Sequence, residues 1–174
     1  FGLMIGDQIR DKDGVSAVAL ICEMAAYEKR NGRSLFDKLI DLYIQHGFYK
    51  ESLVSITKKG MDGAAQIAAM MEGFRKDPPE FIAGSRVIQL LDYESGKGRD
   101  LLSGKTWDID ITRSNVLQFL LEDGSKISAR PSGTEPKIKF YFSVNTTLAS
   151  RAEFDAIDKK LNERLSELEK AMGL

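Results

Sequence analysis

Histidine, cysteine and tryptophan each occur once in the 174 residues, and proline occurs four times. The lone cysteine, Cys22, excludes an internal disulfide. Together with the lack of a secretory signal segment, it points to a reducing, cytoplasmic setting. One histidine and one cysteine cannot build a His/Cys cluster with metal-ligand spacing. No apolar run approaches the roughly 20 residues that a membrane-spanning helix needs, so no membrane partner is expected. Neither sign of charge prevails: 25 Lys+Arg face 26 Asp+Glu, a net charge of −1. The strong basic excess of nucleic-acid-binding domains is therefore missing, although a local basic site for a small anion remains open. An initiator methionine is absent too. The chain opens Phe1-Gly2-Leu3 and is expected to be a fragment or a processed product.

What is present suits a soluble folded chain. Apolar residues make up 43% and charged residues 29%, which supplies a core and a solvated surface. The length fits one domain, or a small domain plus a piece of another. Asp13 is placed to cap a helix beginning at Gly14. From Val15 to Tyr27 nearly every face of that helix is apolar, which predicts burial on several sides and a core position for Cys22. Asn31-Gly32 ends it. Ser34 caps a second helix with a stripe of Leu35, Leu39, Leu42 and Tyr43, stopped by Gly47. The only histidine, His46, falls at that helix end, where it is better suited to stabilising the C-terminus than to acid–base work.

A strand is predicted at Ser52–Lys58 from its alternation, with a domain boundary near Lys50–Ser52. Asp62 is placed to cap a third helix, striped by Ala64, Ile67, Met71 and Phe74 and ending before Pro78-Pro79. Strands follow at Arg86–Tyr93, at Val116–Leu121 and Lys126–Ala129, and at Lys137–Val144. Asp123-Gly124 is a strong hairpin signal between the middle two, and places Glu122 and Asp123 at a solvated tip. Trp107 is expected to pack. In the last strand Ile138, Phe140, Phe142 and Val144 share one face, with Lys139, Tyr141 and Ser143 on the other. Ser150 and Glu153 read as a capping box. They open a final helix striped by Phe154, Ile157, Leu161, Leu165, Leu168 and Met172. Residues 52–174 are thus expected to form an α+β domain, an antiparallel sheet of about four strands flanked by helices. Residues 1–50 are expected to be the helical end of an α/β domain.

The stretch richest in chemistry is Arg130-Pro131-Ser132-Gly133-Thr134-Glu135-Pro136-Lys137, between two predicted strands. Two of the four prolines bracket it and stiffen it. Arg130 offers a planar fork of donors matched to phosphate oxygens. Ser132 and Thr134 offer hydroxyls. Gly133 allows the backbone to come close and point N–H groups at an anion. Lys139 adds a point charge on the face away from the core. Pro-Ser-Gly-Thr is also ordinary turn chemistry; the density of donors between stiffening prolines favours anion binding.

The string Arg130-Pro131-Ser132-Gly133-Thr134-Glu135-Pro136-Lys137-Ile138-Lys139-Phe140-Tyr141 resembles the phosphate-binding loop in the last domain of phosphoglucomutases and phosphomannomutases, the phosphohexomutase family. Phe1-Gly2, followed by Ile9-Arg10-Asp11-Lys12-Asp13-Gly14, is similar to the segment after that family's sugar-recognition loop. The Glu-x-Ser core of that loop would lie upstream of Phe1. The resemblance covers essentially the whole chain. It implies that residues 1–50 are the end of the third domain, and that residues 52–174 are the fourth, whose fold is of the TATA-box-binding-protein-like kind. It implies an isomerase that interconverts hexose 1-phosphate and 6-phosphate through a phosphoserine and a bisphosphate intermediate. Magnesium held by an upstream domain would assist, and a glucose 1,6-bisphosphate-type activator would be needed.

On that resemblance Arg130, Ser132, Gly133, Thr134 and Lys139 bind the substrate phosphate, and the domain closes the cleft. Lys139 stands where many members have Arg. Lys12 reaches the substrate; on the residues alone it reads as a solvated helix start. No catalytic residue and no metal ligand of the family falls in this stretch, so it is expected to be inert by itself. Its partners are expected to be a hexose phosphate and the upstream domains of the same chain. The alternatives are a stand-alone phosphosugar-binding module, disfavoured by the expected burial of the first helix, and a phosphoglucosamine or phosphopentose mutase.

Overall fold

The structure, a computed structural model, describes every residue except Phe1, Gln8, Ile9, Lys59 and Met61. Phe1 and Ile9, which carry part of the second resemblance, therefore lie outside the described residues. The chain folds as two compact units, Phe1–Gly47 with Thr147–Phe154, and Phe48–Thr146 with Asp155–Leu174. Among the described residues no helix is long and apolar enough to cross a membrane.

The first unit is helical. Helix α1 (Gly14–Arg30) begins where Asp13 accepts the N–H groups of Val15 at 2.9 Å and Ser16 at 3.1 Å. Hydrogen bonds from the Ser16 side chain and from these two amides hold the Asp13 carboxyl below its ordinary value. Past Asn31, Gly32 turns the chain at φ 70°. Helix α2 (Leu35–His46) opens on a capping box made by Ser34 and Asp37 and stops at Gly47, φ 97°. Arg33 clasps the two helices: its Nε donates to Glu28 at 2.9 Å, and it also pairs with Asp41. Phe36 meets Phe154 edge-on at 5.2 Å.

Burial of α1 is corrected here. Val15, Val18, Ile21 and Met24 are exposed, Val15 to 81%, and so is Cys22; Glu28 is the one buried residue of the helix. An all-round apolar pattern shows that a helix can be covered on several sides.

The second unit is an antiparallel sheet of eight strands among the described residues, twice the expected number. They are β1 (Phe48–Thr57), β2 (Phe81–Ile82), β3 (Ser85–Asp92), β4 (Lys97–Asp100), β5 (Thr106–Asp108), β6 (Leu117–Leu121), β7 (Lys126–Pro131) and β8 (Lys137–Thr146). The order is β1-β8-β7-β6-β3-β4-β5, with β2 attached to β3. Strand β1 starts four residues before the expected Ser52. Lys50 fits on its core side because its amine reaches Asp158 of the last helix, while Glu51 points to the other face. The residues Lys50–Ser52 are paired with Val144–Phe142 inside the ladder.

Strands β2, β4 and β5 are too short to alternate legibly. The β4–β5 pair depends on a close approach: a Cβ on Gly98 would sit 2.2 Å from the Trp107 ring. That ring packs as expected, although 38% of Trp107 stays exposed.

One face of the sheet holds the core. Ile138, Phe140, Phe142 and Val144 of β8 lie beside Ile127 and Ala129 of β7 and Leu117, Phe119 and Leu121 of β6, all at or below 2% exposure. Helix α3 (Gly63–Lys76) lays Ile67 and Met71 into that face, and Phe74 meets Phe119 and Phe140 edge-on at 5.6 and 6.4 Å. Helix α4 (Phe154–Ala171) buries Leu161, Leu165 and Leu168. Each such side chain contributes about 1.5–3 kcal/mol on burial.

Two expected caps do not form. Asp62 makes no side-chain hydrogen bond to α3. The Ser150 hydroxyl meets the Glu153 carboxylate at 3.3 Å instead of a backbone amide, and a single 3₁₀ turn, Arg151–Glu153, precedes α4.

Among the described residues, the two helices of this unit, α3 and α4, leave the opposite face of the sheet uncovered. It presents Tyr49, Glu51, Leu53, Ser55 and Thr57 of β1 beside Lys137, Lys139, Tyr141, Ser143 and Asn145 of β8, then Lys126, Ser128 and Arg130 of β7. The open face is therefore where a polar site can stand without costing core.

Candidate functional site

The loop between β7 and β8 is a tight, internally bonded turn. The Ser132 N–H donates to the Lys137 carbonyl at 2.7 Å, and the Lys137 N–H donates to the Glu135 carbonyl at 2.7 Å. The Ser132 hydroxyl oxygen accepts the N–H groups of Thr134 and Glu135 at 3.4 and 3.3 Å. A hydroxyl has one donor besides its acceptor pairs, so the Ser132 O–H is left to donate outward. The loop is anchored from behind. Lys58, just after β1, donates its N–H to the Pro136 carbonyl at 2.9 Å. At the start of α3 a Cβ on Gly63 would lie 2.3 Å from the Lys58 carbonyl oxygen and 3.1 Å from Pro136 Cβ. The end of β1, the head of α3 and the loop are thus packed on one another.

In front of this turn is a hollow of about 220 Å³ lined by Arg130, Pro131, Ser132, Gly133, Glu135, Lys137 and Lys139. Arg130 of β7 stands opposite Lys139 of β8 in the ladder. Lys137, two residues before Lys139, shares its face. Among the described residues no carboxylate forms an ion pair with any of these three cations. Like charges directly opposite are unfavourable in a sheet, so the site carries a charge that the protein itself leaves unbalanced.

Gly133 is informative for what does not surround it. Its φ is not in the left-handed region, and a Cβ there would meet nothing within 4 Å. Neither a left-handed backbone nor a close neighbour requires glycine at 133.

Of the residues expected at the site, the structure brings Arg130, Ser132, Gly133 and Lys139 to one hollow. Thr134 is exposed and is not among the lining residues. Lys12 lies in the other unit, in the loop before α1. Its ammonium is 3.8 Å from Asp11, with the two side chains 68% and 80% exposed. Its stem crosses Gly2 so closely that a Cβ there would sit 2.2 Å from it. Lys137 and Glu135 line the hollow without having been singled out. The alternation that put Lys139 on the open face already put Lys137 there. Among the described residues no group of three or more His, Cys, Asp or Glu is placed to hold a metal ion.

Comparison with known proteins follows the same lines. Residues 61–160 match the model of the phosphoglucomutase/phosphomannomutase C-terminal domain. The chain is 36% identical over 165 residues to a phosphoglucomutase of Staphylococcus epidermidis, covering 95% of this chain and 29% of that protein. It is 36% identical over 162 residues to a phosphoglucomutase of Staphylococcus aureus, covering 93% of this chain and 28% of that one. A solved structure of the Paramecium exocytosis-sensitive phosphoprotein pp63/parafusin, a phosphoglucomutase in its open form, is similar with a TM-score of 0.47 and 17% identity. That match covers 96% of this chain and 29% of the other.

Proposed function

The chain belongs to the phosphoglucomutase/phosphomannomutase family, and from that premise we propose that its β7–β8 loop grips the phosphate of a hexose phosphate. The whole protein is proposed to be a mutase that moves phosphate between the 1- and 6-positions of the sugar. It would work through a phosphoserine and a bisphosphate, with a glucose 1,6-bisphosphate-type activator. The present chain spans 26–29% of the length of the curated phosphoglucomutases it matches. The serine, and the magnesium that would assist transfer, are assigned to the rest of the protein.

The observation that carries this reading is the placement of Arg130 and Lys139 opposite each other, with no carboxylate paired to either among the described residues, beside a loop whose Ser132 hydroxyl has a donor to spare. Arg130 would take two phosphate oxygens at once. Lys139 and Lys137 would neutralise the remaining charge as point cations. Gly133 would let the phosphate rest against the backbone. Because this loop breaks no bond, its binding energy would serve to orient the sugar so that the opposite phosphate is presented to the serine. Lys12 is proposed to touch the substrate, and rotation of the sheet unit to close the cleft. The test is the rate of interconversion of glucose, mannose and glucosamine phosphates by the full-length protein. A protein that turns over none of them, with its activator and magnesium present, contradicts the reading. The ranking of the three sugars decides which mutase it is.

A further inference from the structure

The hollow contains one group that does not suit a bare anion. Glu135 lines it together with Arg130, Lys137 and Lys139. Among the described residues no ion pair joins Glu135 to any of them. Its backbone is fixed on both sides, since its N–H donates to the Ser132 hydroxyl at 3.3 Å and its carbonyl accepts from Lys137 at 2.7 Å. The residue cannot leave the rim without breaking the turn.

A carboxylate only accepts hydrogen bonds. A fully deprotonated oxyanion such as sulfate also only accepts, so beside Glu135 it meets repulsion with no compensating bond. A sugar phosphate carries hydroxyls next to its phosphate, and these donate. Three cations and one carboxylate leave a net charge of +2 at the hollow, which matches a phosphate monoester dianion.

We propose that Glu135 is a specificity-determining residue. It accepts a hydrogen bond from a hydroxyl of the bound sugar and thereby disfavours inorganic oxyanions that lack a donor. The inference rests on the reading of the loop as a phosphate grip. It adds that the site selects the ester over an oxyanion with no hydrogen to donate, so that sulfate competes poorly for it.

The experiment measures sulfate and glucose 6-phosphate binding to the full-length protein by calorimetry, in the unaltered protein, Glu135→Gln and Arg130→Ala. Glutamine keeps the shape but adds donors. Glu135→Gln is expected to tighten sulfate by about tenfold while glucose 6-phosphate changes little or weakens, a shift in the ratio equivalent to one charged hydrogen bond. Glu135→Asp should keep the original preference in direction. If Arg130→Ala abolishes binding of both ligands but Glu135→Gln leaves their ratio within twofold, the specificity role is wrong and the grip stands. If Arg130→Ala leaves both affinities unchanged, the grip itself is wrong and the specificity role goes with it. Because Glu135 is exposed, the melting temperatures of the Glu135 variants should match that of the unaltered protein. Should that of Glu135→Gln fall by more than a few degrees, the ratio is read from Glu135→Ala, which removes the carboxylate and is expected to shift the ratio toward sulfate; a ratio within twofold of the unaltered protein there too would overturn the role.

Discussion

Arg130 and Lys139 oppose each other across the β7–β8 ladder, cation against cation, with no carboxylate paired to either among the described residues. Charges so placed repel by roughly 0.2–1 kcal/mol in a sheet. An anion held between them would relieve that repulsion. Removing one should therefore relieve the protein without its ligand. Lys139→Ala is expected to leave stability unchanged or raise it by up to about 1 kcal/mol at low salt. The difference should fade at high salt as the charges are screened. Denaturant unfolding at two ionic strengths checks this; a clear loss of stability would show that Lys139 supports the fold.

Gly133→Ala separates binding from folding. No left-handed backbone and no neighbour within 4 Å of the added methyl oppose it, so the melting temperature should move by no more than about a degree or two. Affinity for hexose phosphate should fall severalfold if the proposed grip holds, because the methyl would occupy the space through which a phosphate reaches the amides. Equal affinity in both forms would mean that the ligand does not rest on this backbone.

The loop was legible because its chemistry is local. Arg130 to Lys137 is contiguous, and the period of two along β8 assigned Lys139 to the open face. The Asp123-Gly124 hairpin was legible for the same reason, and Gly124 takes φ 84° there. What could not be read depends on partners remote in sequence. Lys50 joins a strand because Asp158 lies across from it. Strands β4 and β5 form around the seat of Trp107 on Gly98. The α1 pattern showed a capacity for cover on several sides, while the structure leaves that surface open. Asp62 and Ser150 have the residue types of caps but not the hydrogen bonds.

Acid should weaken the sheet unit through Arg164. This residue of α4 donates to Asp123 at 2.7 and 3.0 Å, to the Ala83 carbonyl at 2.8 Å and to Glu167 at 3.0 Å. It thereby ties the β6–β7 turn and the β2–β3 turn to the helix. Burial pushes the Asp123 carboxyl up. Hydrogen bonds from Ser125 and the charge of Arg164 outweigh it, and the carboxyl lies below its ordinary value of 3.8. A depressed acid stabilises the folded state above its ordinary value and loses that contribution as pH falls through the folded one. Arg164→Ala should cost about 1–2 kcal/mol at neutral pH, modest because Asp123 is partly solvated. The gap from the unaltered protein should narrow below about pH 4. A gap independent of pH would assign the loss to the Ala83 and packing contacts instead.

The central claim, that the β7–β8 loop is the phosphate grip of a hexose-phosphate mutase, is tested most directly by steady-state kinetics of Arg130→Ala in the full-length protein, with a melting curve beside it. On a bound phosphate the planar fork of Arg130 would make two charged hydrogen bonds where Ser132 would make one. Its removal should lower kcat/KM by about tenfold to a hundredfold or more, with Lys139→Ala losing less. The melting temperature of both should stay near that of the unaltered protein, since both side chains lie off the core face. Full activity in Arg130→Ala, or activity lost only in step with unfolding, would contradict the account.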